Sequence, residues 1–106
     1  MSAEHRYPVQ VRWTGNTGSG TSGYRDYSRD HEVVTADAGT LAASADPAFR
    51  GTRSRWNPEQ LLVASVAECH MLWYLHLATV EGLVVDAYTD DALGVMRQDE
   101  IGRAHV

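Results

Sequence analysis

Apolar residues are concentrated in one long stretch, residues 57–83, where they recur on every turn of a helix. The signals at both ends agree with a helix over residues 58–81. Asn57 is a favourable N-cap residue, and Pro58 suits the first helical position, where its missing N–H costs nothing. Gly82 can adopt the left-handed conformation that ends many helices. The pattern therefore predicts one long helix.

The apolar positions of this helix cover nearly all of its circumference. They are Leu61, Leu62, Val63, Val66, Met71, Leu72, Trp73, Leu75, Leu77 and Val80. A helix of this kind is buried on most sides in a folded protein. The chain has 106 residues, too few to wrap it, so we expect further chain or a partner subunit to cover it. The length also suits a membrane span, but Glu68, His70 and His76 lie inside it and argue against one.

The rest of the chain has the features of short strands and turns. Residues 16–23 are a Gly/Ser/Thr-rich loop, and residues 47–56 are a polar, Arg-rich connection. Alternating, β-branched or aromatic residues predict strands within 7–15, 24–36, 37–46, 83–90 and 92–99. The predicted fold class is α+β: an N-terminal antiparallel β-meander, a long buried central helix, and a strand pair after it.

Composition narrows the functional classes. The net charge of −5 argues against a nucleic-acid partner, and all nine basic residues are Arg. The first residues lack the apolar core of a signal peptide, and the single cysteine cannot form an internal disulfide. We therefore expect a cytoplasmic protein, of one domain, with no nucleic acid and no membrane among its partners.

Cys69, in the middle of the predicted helix, has two interpretations. It is either a small buried hydrophobic residue or a reactive thiol. His70 is a poor base for it, because adjacent helical residues point about 100° apart, and His76 lies roughly 10 Å further along the axis. Glu68, Cys69 and His70 are consecutive and cannot converge on one metal ion. No metal site or other cofactor is predicted.

The segment NPEQLLVASVAECHMLWYLHL resembles the signature helix of the OsmC/Ohr family, the osmotically induced and organic hydroperoxide resistance proteins. Residues 20–33 resemble the first hairpin of the OsmC-like branch, and residues 82–96 the strand after the helix. The resemblance covers essentially residues 7–99 and implies an OsmC-like fold. It favours the reactive thiol over the structural one for Cys69.

The resemblance also implies an activity, a thiol-dependent peroxidase in oxidative stress defence. The Cys69 thiolate would attack an organic hydroperoxide and become a sulfenic acid, a second cysteine would resolve it, and a dithiol reductant would complete the cycle. An Arg should favour the thiolate, with Arg29 the first choice and Arg25 the second. Glu59 would hold that Arg in place.

The family is a homodimer with its sites at the subunit interface, and geometry agrees with that arrangement. Glu59 and Cys69 are ten residues apart, which is roughly 15 Å along a straight helix. If both line one pocket, one of them must come from a partner subunit.

The sequence departs from the family in two respects. It has no second cysteine, and family members are longer, with further strands and a second helix. Residues 101–106, IGRAHV, do not resemble the family and match one reading frame of a common sequencing adapter. We therefore expect residues 1–100 to be the N-terminal part of one OsmC-like domain that lacks its C-terminal half, inactive alone, with residues 101–106 a non-native tail that makes few contacts.

Two other functions stay open at this stage. One is a non-enzymatic OsmC-like dimer that binds a small apolar ligand at the subunit interface, with Cys69 inert. The other is a purely structural dimerisation module. For the peroxidase we expect Cys69 to be largely buried beside a cavity. For the 106-residue chain alone, which lacks the half that would cover the helix, we expect a large exposed apolar stripe that includes some of Leu62, Val66, Trp73, Leu77 and Val80.

Overall fold

A computed structural model describes residues 3–98 and the backbone of residues 104–105. The predicted α+β class is confirmed: an antiparallel sheet is followed by one long helix. The chain divides into two compact units, Met1–Pro58 and Glu59–Val106, each of which is described separately.

The first unit is built on a three-stranded antiparallel meander, as predicted. Its strands are β1 (Gln10–Trp13), β2 (His31–Thr35) and β3 (Gly39–Ala43), with β2 in the centre. Trp13 lies opposite His31, and Val33 lies between Val11 and Leu41. In the tight β2–β3 turn Gly39 has a φ of 81°, a conformation that an L side chain resists.

The strands are shorter than predicted, and the largest difference is in residues 24–30. These residues lie ahead of β2 and form a turn, in which the Asp26 N–H donates to the Gly23 carbonyl at 3.0 Å. The Trp13 indole donates to the Ser28 carbonyl at 2.8 Å and packs edge-on against Tyr27. These bonds hold residues 24–30 against the end of β1 and give them a defined shape without strand pairing.

The connection after β3 folds back onto that strand. A single 3-10 turn, Pro47–Phe49, begins at Asp46, whose carboxylate accepts from the Ala48 N–H at 2.7 Å. Further on, the Ser44 N–H donates to the Trp56 carbonyl at 2.8 Å. Ala43 and Ser44, at the end of β3, have no exposed surface, so the buried centre of this unit lies where the connection returns.

Helix α1, Pro58–Val80, begins at the last residue of the first unit and otherwise belongs to the second, and both of its ends lie within a residue of the prediction. It ends in a Schellman motif, in which the Leu83 N–H donates to the Ala78 carbonyl at 2.8 Å and the Gly82 N–H donates to the Thr79 carbonyl at 3.1 Å. Gly82 has a φ of 73°. The predicted C-terminal stop is therefore confirmed together with its mechanism.

The central helix is not buried, which corrects the expectation of a buried element. Ala78 is its single buried residue, because no described segment of its own unit covers the apolar circumference. The expected apolar stripe is confirmed, with Leu62, Val66, Trp73, Leu77 and Val80 all more than half exposed. By length and hydropathy alone α1 could cross a membrane, a test that the core helices of many globular proteins also pass.

The prediction for the segment after the helix is largely wrong. Residues 83–90 form no strand, because a strand needs a hydrogen-bonded neighbour and no described segment pairs with them. The second predicted strand is reduced to β4 (Arg97–Gln98), which pairs antiparallel with β5 (Ala104–His105). The remainder of the predicted tail, residues 101–103 and 106, lies outside the described residues.

Candidate functional site around Cys69 and the Arg-rich turn

Cys69 lies at the midpoint of α1 and is exposed, so the expectation of a largely buried thiol is wrong. The reason is the uncovered helix. Side chains three and four positions away share its face, and among these Val66, Leu72 and Trp73 are themselves at least 60% exposed. The Trp73 ring also meets His76 edge-to-face, with centroids 5.7 Å apart. The sulfur is thus open to a small molecule, on an apolar surface.

Glu59 is in the first turn of the same helix, where its charge suits the helix dipole. One of its carboxylate oxygens, Oε2, is buried and accepts no hydrogen bond from the described residues. A buried carboxylate oxygen that accepts no hydrogen bond lowers the stability of the fold. Such an oxygen is explained if a hydrogen-bond donor from another molecule or subunit occupies the position beside it. A guanidinium group is a suitable donor for it.

Arg29 is held by two aromatic rings in the turn before β2. Its guanidinium carbon lies 3.8 Å from the ring centroid of Tyr27 and 4.6 Å from that of Tyr24. One nitrogen, Nη1, donates to the Tyr27 carbonyl at 2.9 Å. The face of an aromatic ring orients a guanidinium group but, unlike a carboxylate, does not neutralise its charge. Arg29 therefore has a fixed position and a charge that is still available to an anionic group.

A pocket of about 530 Å³ opens beside this turn. Its polar lining comprises Thr17, Ser19, Arg25, Asp26, Ser28 and Arg50, and the remaining lining residue is Tyr27. Arg50 also lies 6.0 Å from the centroid of the Tyr24 ring. The two candidate arginines thus have different surroundings: Arg29 is clamped between rings, whereas Arg25 faces the pocket.

Asp30 joins the start of β2 to the connection that precedes the helix. Its Oδ1 accepts from the Thr52 hydroxyl at 2.6 Å, and its Oδ2 lies 3.5 Å from Nε of Arg55. The Thr52 hydrogen bond, with help from Ser44 and the charge of Arg55, lowers the pKa of Asp30 against the opposing effect of burial. Arg55 also donates to the His31 carbonyl at 3.2 Å. This network fixes the residue next to Arg29.

The four predicted site residues divide between the two units. Arg25 and Arg29 lie together in the first unit, whereas Glu59 and Cys69 lie on the helix of the second. The pairings of Arg29 with Glu59 and with Cys69 stay predictions.

Sequence reasoning missed Tyr24, Tyr27 and Arg50 as partners of the arginines. The alternation of Tyr and Arg in YRDYSR was the available signal for the first two. Nothing in the sequence marked Arg50. Among the described residues, no group of three His, Cys, Asp or Glu side chains is arranged to hold a metal ion.

The fold and this arrangement define a class of protein. The structure is similar to that of an OsmC-like protein of unknown function from Vibrio cholerae, with a TM-score of 0.82 and 27% sequence identity. The match covers 97% of this chain and 69% of the Vibrio chain. No protein-family model and no curated protein matches the sequence. The chain has the OsmC-like fold, as its helix signature indicated.

Proposed function

We propose that this chain is the cysteine-bearing part of a thiol-dependent peroxidase that reduces organic hydroperoxides. The observation that carries the proposal is the lone, exposed cysteine on the long helix of an OsmC-like fold. It lies ten residues after Glu59, whose buried Oε2 has no hydrogen-bond partner among the described residues. An apolar surface around the thiol suits an organic peroxide better than hydrogen peroxide.

The reaction needs only the sulfur, a proton and a reductant. The Cys69 thiolate attacks one oxygen of the hydroperoxide, the O–O bond breaks, and the alkoxide takes up a proton to leave as an alcohol. Sulfur is oxidised to a sulfenic acid. Two equivalents of a thiol then return it to the thiol, with release of water and one disulfide. This reductant must come from outside the chain, which has no second cysteine.

The proposed site is completed by a second copy of the chain. Arg29, oriented by its two tyrosines, supplies the positive charge that favours the thiolate, and Glu59 accepts hydrogen bonds from it through the unpartnered Oε2. Because Glu59 and Cys69 are about 15 Å apart on one helix, the two act in one site only if one belongs to a partner subunit.

Single-turnover chemistry tests the proposal without any reductant. Protein is mixed with cumene hydroperoxide, and sulfenic acid is trapped with dimedone and located by mass spectrometry. We expect one adduct, on Cys69, formed about a hundredfold faster than on free cysteine at the same pH, with an equal amount of alcohol released. Cys69→Ser should give neither product.

The same experiment separates the peroxidase from a non-enzymatic apolar-ligand protein. A Cys69 that reacts no faster than free cysteine, in a chain shown to self-associate, would rule out the peroxidase. Arg53→Gln is the matched control for Arg29→Gln, because Arg53 is an exposed arginine of the same unit outside the turn. Only the Arg29 variant should slow the reaction.

A further inference from the structure

Two arginines, Arg25 and Arg50, face the pocket beside the turn of residues 24–30, and no described acidic residue pairs with either of them. Neither the Arg25 nor the Arg50 guanidinium makes an ion pair or a hydrogen bond with any described residue. Asp26 is the one carboxylate in the lining, so the two arginines leave an excess positive charge there. The chain as a whole carries a net charge of −5. A local concentration of unpaired positive charge in an acidic protein attracts an anion.

The backbone at Arg50 adds an independent observation. Arg50 has a φ of 64° and a ψ of 30°, and it is the one described non-glycine residue with a positive φ. Gly or Asn adopts this left-handed conformation more readily than other residues do. Arg50 ends the 3-10 turn Pro47–Phe49, where its N–H donates to the Pro47 carbonyl at 3.1 Å, and this turn places its side chain at the pocket.

The other lining residues include hydroxyl groups that already have partners within the loop. The Ser19 hydroxyl accepts from the Ser22 hydroxyl at 2.9 Å, and the Ser28 hydroxyl accepts from the Asp30 N–H at 3.0 Å. Thr17 fixes the loop by donating to the Asp26 carbonyl at 2.8 Å. Guanidinium groups bind tetrahedral oxyanions through paired N–H donors, and hydroxyl groups can complete the set. The pocket, at about 530 Å³, is larger than a phosphate ion and has room for the group that a phosphate ester carries.

We propose that the pocket formed by Arg25, Arg50, Ser19 and Ser28 is a binding site for the phosphate group of a small molecule. The site is separate from the chemistry of Cys69 and does not rest on the peroxidase proposal. It assigns Arg25 to ligand recognition and leaves Arg29, which its tyrosines hold, as the arginine for the thiol.

The test is a titration of the 106-residue chain with inorganic phosphate, followed by the NMR signals of the arginine Nε–H groups. Sodium chloride is adjusted to keep the ionic strength constant. We expect saturable shifts of the Arg25 and Arg50 signals at millimolar phosphate. Glycerol 3-phosphate should give the same shifts, which would show that an ester is accepted.

Three variants decide whether the pocket is responsible. Arg25→Gln and Arg50→Gly should each weaken phosphate binding about tenfold. The glycine variant keeps the fold, because glycine favours the left-handed backbone at that position. Arg53→Gln removes one positive charge from the same connection, outside the pocket lining, and should leave the affinity within a factor of two.

Three results would overturn the proposal. One is the absence of saturation of the Arg25 and Arg50 signals. Another is an equal loss of affinity in Arg53→Gln and Arg50→Gly, which would mean that only overall charge matters. The third is acetate binding with the same affinity as phosphate at equal ionic strength, which would refute recognition of a phosphate group.

Discussion

At the scale of single residues, Arg29 is the clearest case of a side chain placed by its neighbours. Its guanidinium lies against the Tyr27 and Tyr24 rings, and a hydrogen bond to the Tyr27 carbonyl fixes its rotation. A sequence pattern with period two or 3.6 predicts strands and helices, but this cluster follows neither period. The geometry of the cluster therefore could not be predicted, although Arg29 itself was named as a candidate site residue.

Substitution of Tyr27 tests this placement. Tyr27→Phe keeps the ring face and should leave the ring-current shift of the Arg29 NMR signals within about a fifth of its original size. Tyr27→Leu removes the aromatic ring and should therefore greatly reduce the ring-current shift of the Arg29 signals. It should also lower the free energy of unfolding in urea by about 1 kcal/mol. Equal effects of Leu and Phe would show that the phenol hydroxyl, and not the ring, orients Arg29.

Asp30 gives a prediction about pH. The pKa of Asp30 is lowered in the folded state, chiefly by the hydrogen bond from Thr52. This hydrogen bond therefore contributes its full stabilisation above the ordinary carboxyl pKa of about 4. The stabilisation is lost as the pH falls through the lowered value. Thr52→Val should therefore cost about 1 kcal/mol at pH 7 and progressively less as the pH falls through the lowered pKa of Asp30.

The matched control for Thr52→Val is Thr17→Val, which removes a hydroxyl that donates to a neutral carbonyl at 2.8 Å. Its cost should not change between pH 3 and pH 7. Urea unfolding at several pH values measures both variants. A pH-independent cost for Thr52→Val would contradict the assignment of the Thr52 bond to the ionised carboxylate of Asp30.

At the scale of elements, the helix and the meander were predictable because their signals are local. Asn57, Pro58 and Gly82 mark the ends of α1, and alternation marks the strands. Residues 83–90 have the composition of a strand, yet strand formation depends on a neighbour that composition does not reveal. The prediction that Cys69 is buried was wrong for a related reason, because the burial of a helical residue depends on which segments cover the helix.

The end of α1 provides a test at this scale. Gly82 adopts a φ of 73°, so Gly82→Ala should destabilise the chain by about 1 kcal/mol. Gly82→Asn should cost less, because asparagine tolerates this conformation. Circular dichroism during urea unfolding measures both. An alanine variant as stable as the asparagine variant would show that the Schellman motif contributes nothing at Gly82.

At the scale of the whole molecule, the exposed apolar side chains of α1 are the dominant feature. Leu62, Val66, Trp73, Leu77 and Val80 are between 51% and 65% exposed, far more than a helix of this composition tolerates in water. We expect the chain to self-associate through this surface. The proposed site also requires a second copy of the chain, because Glu59 and Cys69 are about 15 Å apart on one helix.

Sedimentation of a double variant tests self-association. Val66→Glu with Leu77→Glu should shift the chain from associated forms to a monomer, because the charges cannot be buried in an apolar contact. Ala36→Glu with Ala38→Glu, in the exposed β2–β3 turn, makes the same charge change and should leave association unaltered. A wild-type chain that is monomeric and unfolds cooperatively would contradict this prediction.

The position of Trp73, one helical turn beyond Cys69, gives the protein a built-in optical reporter. An indole ring whose Cβ lies about 5–6 Å from that of a cysteine changes its fluorescence when the sulfur is oxidised or alkylated. The other two tryptophans, Trp13 and Trp56, are in the first unit, and the Trp73→Phe variant measures their contribution alone. Trp73→Phe should remove the changing component, so that the redox state of one sulfur can be followed in real time without a label.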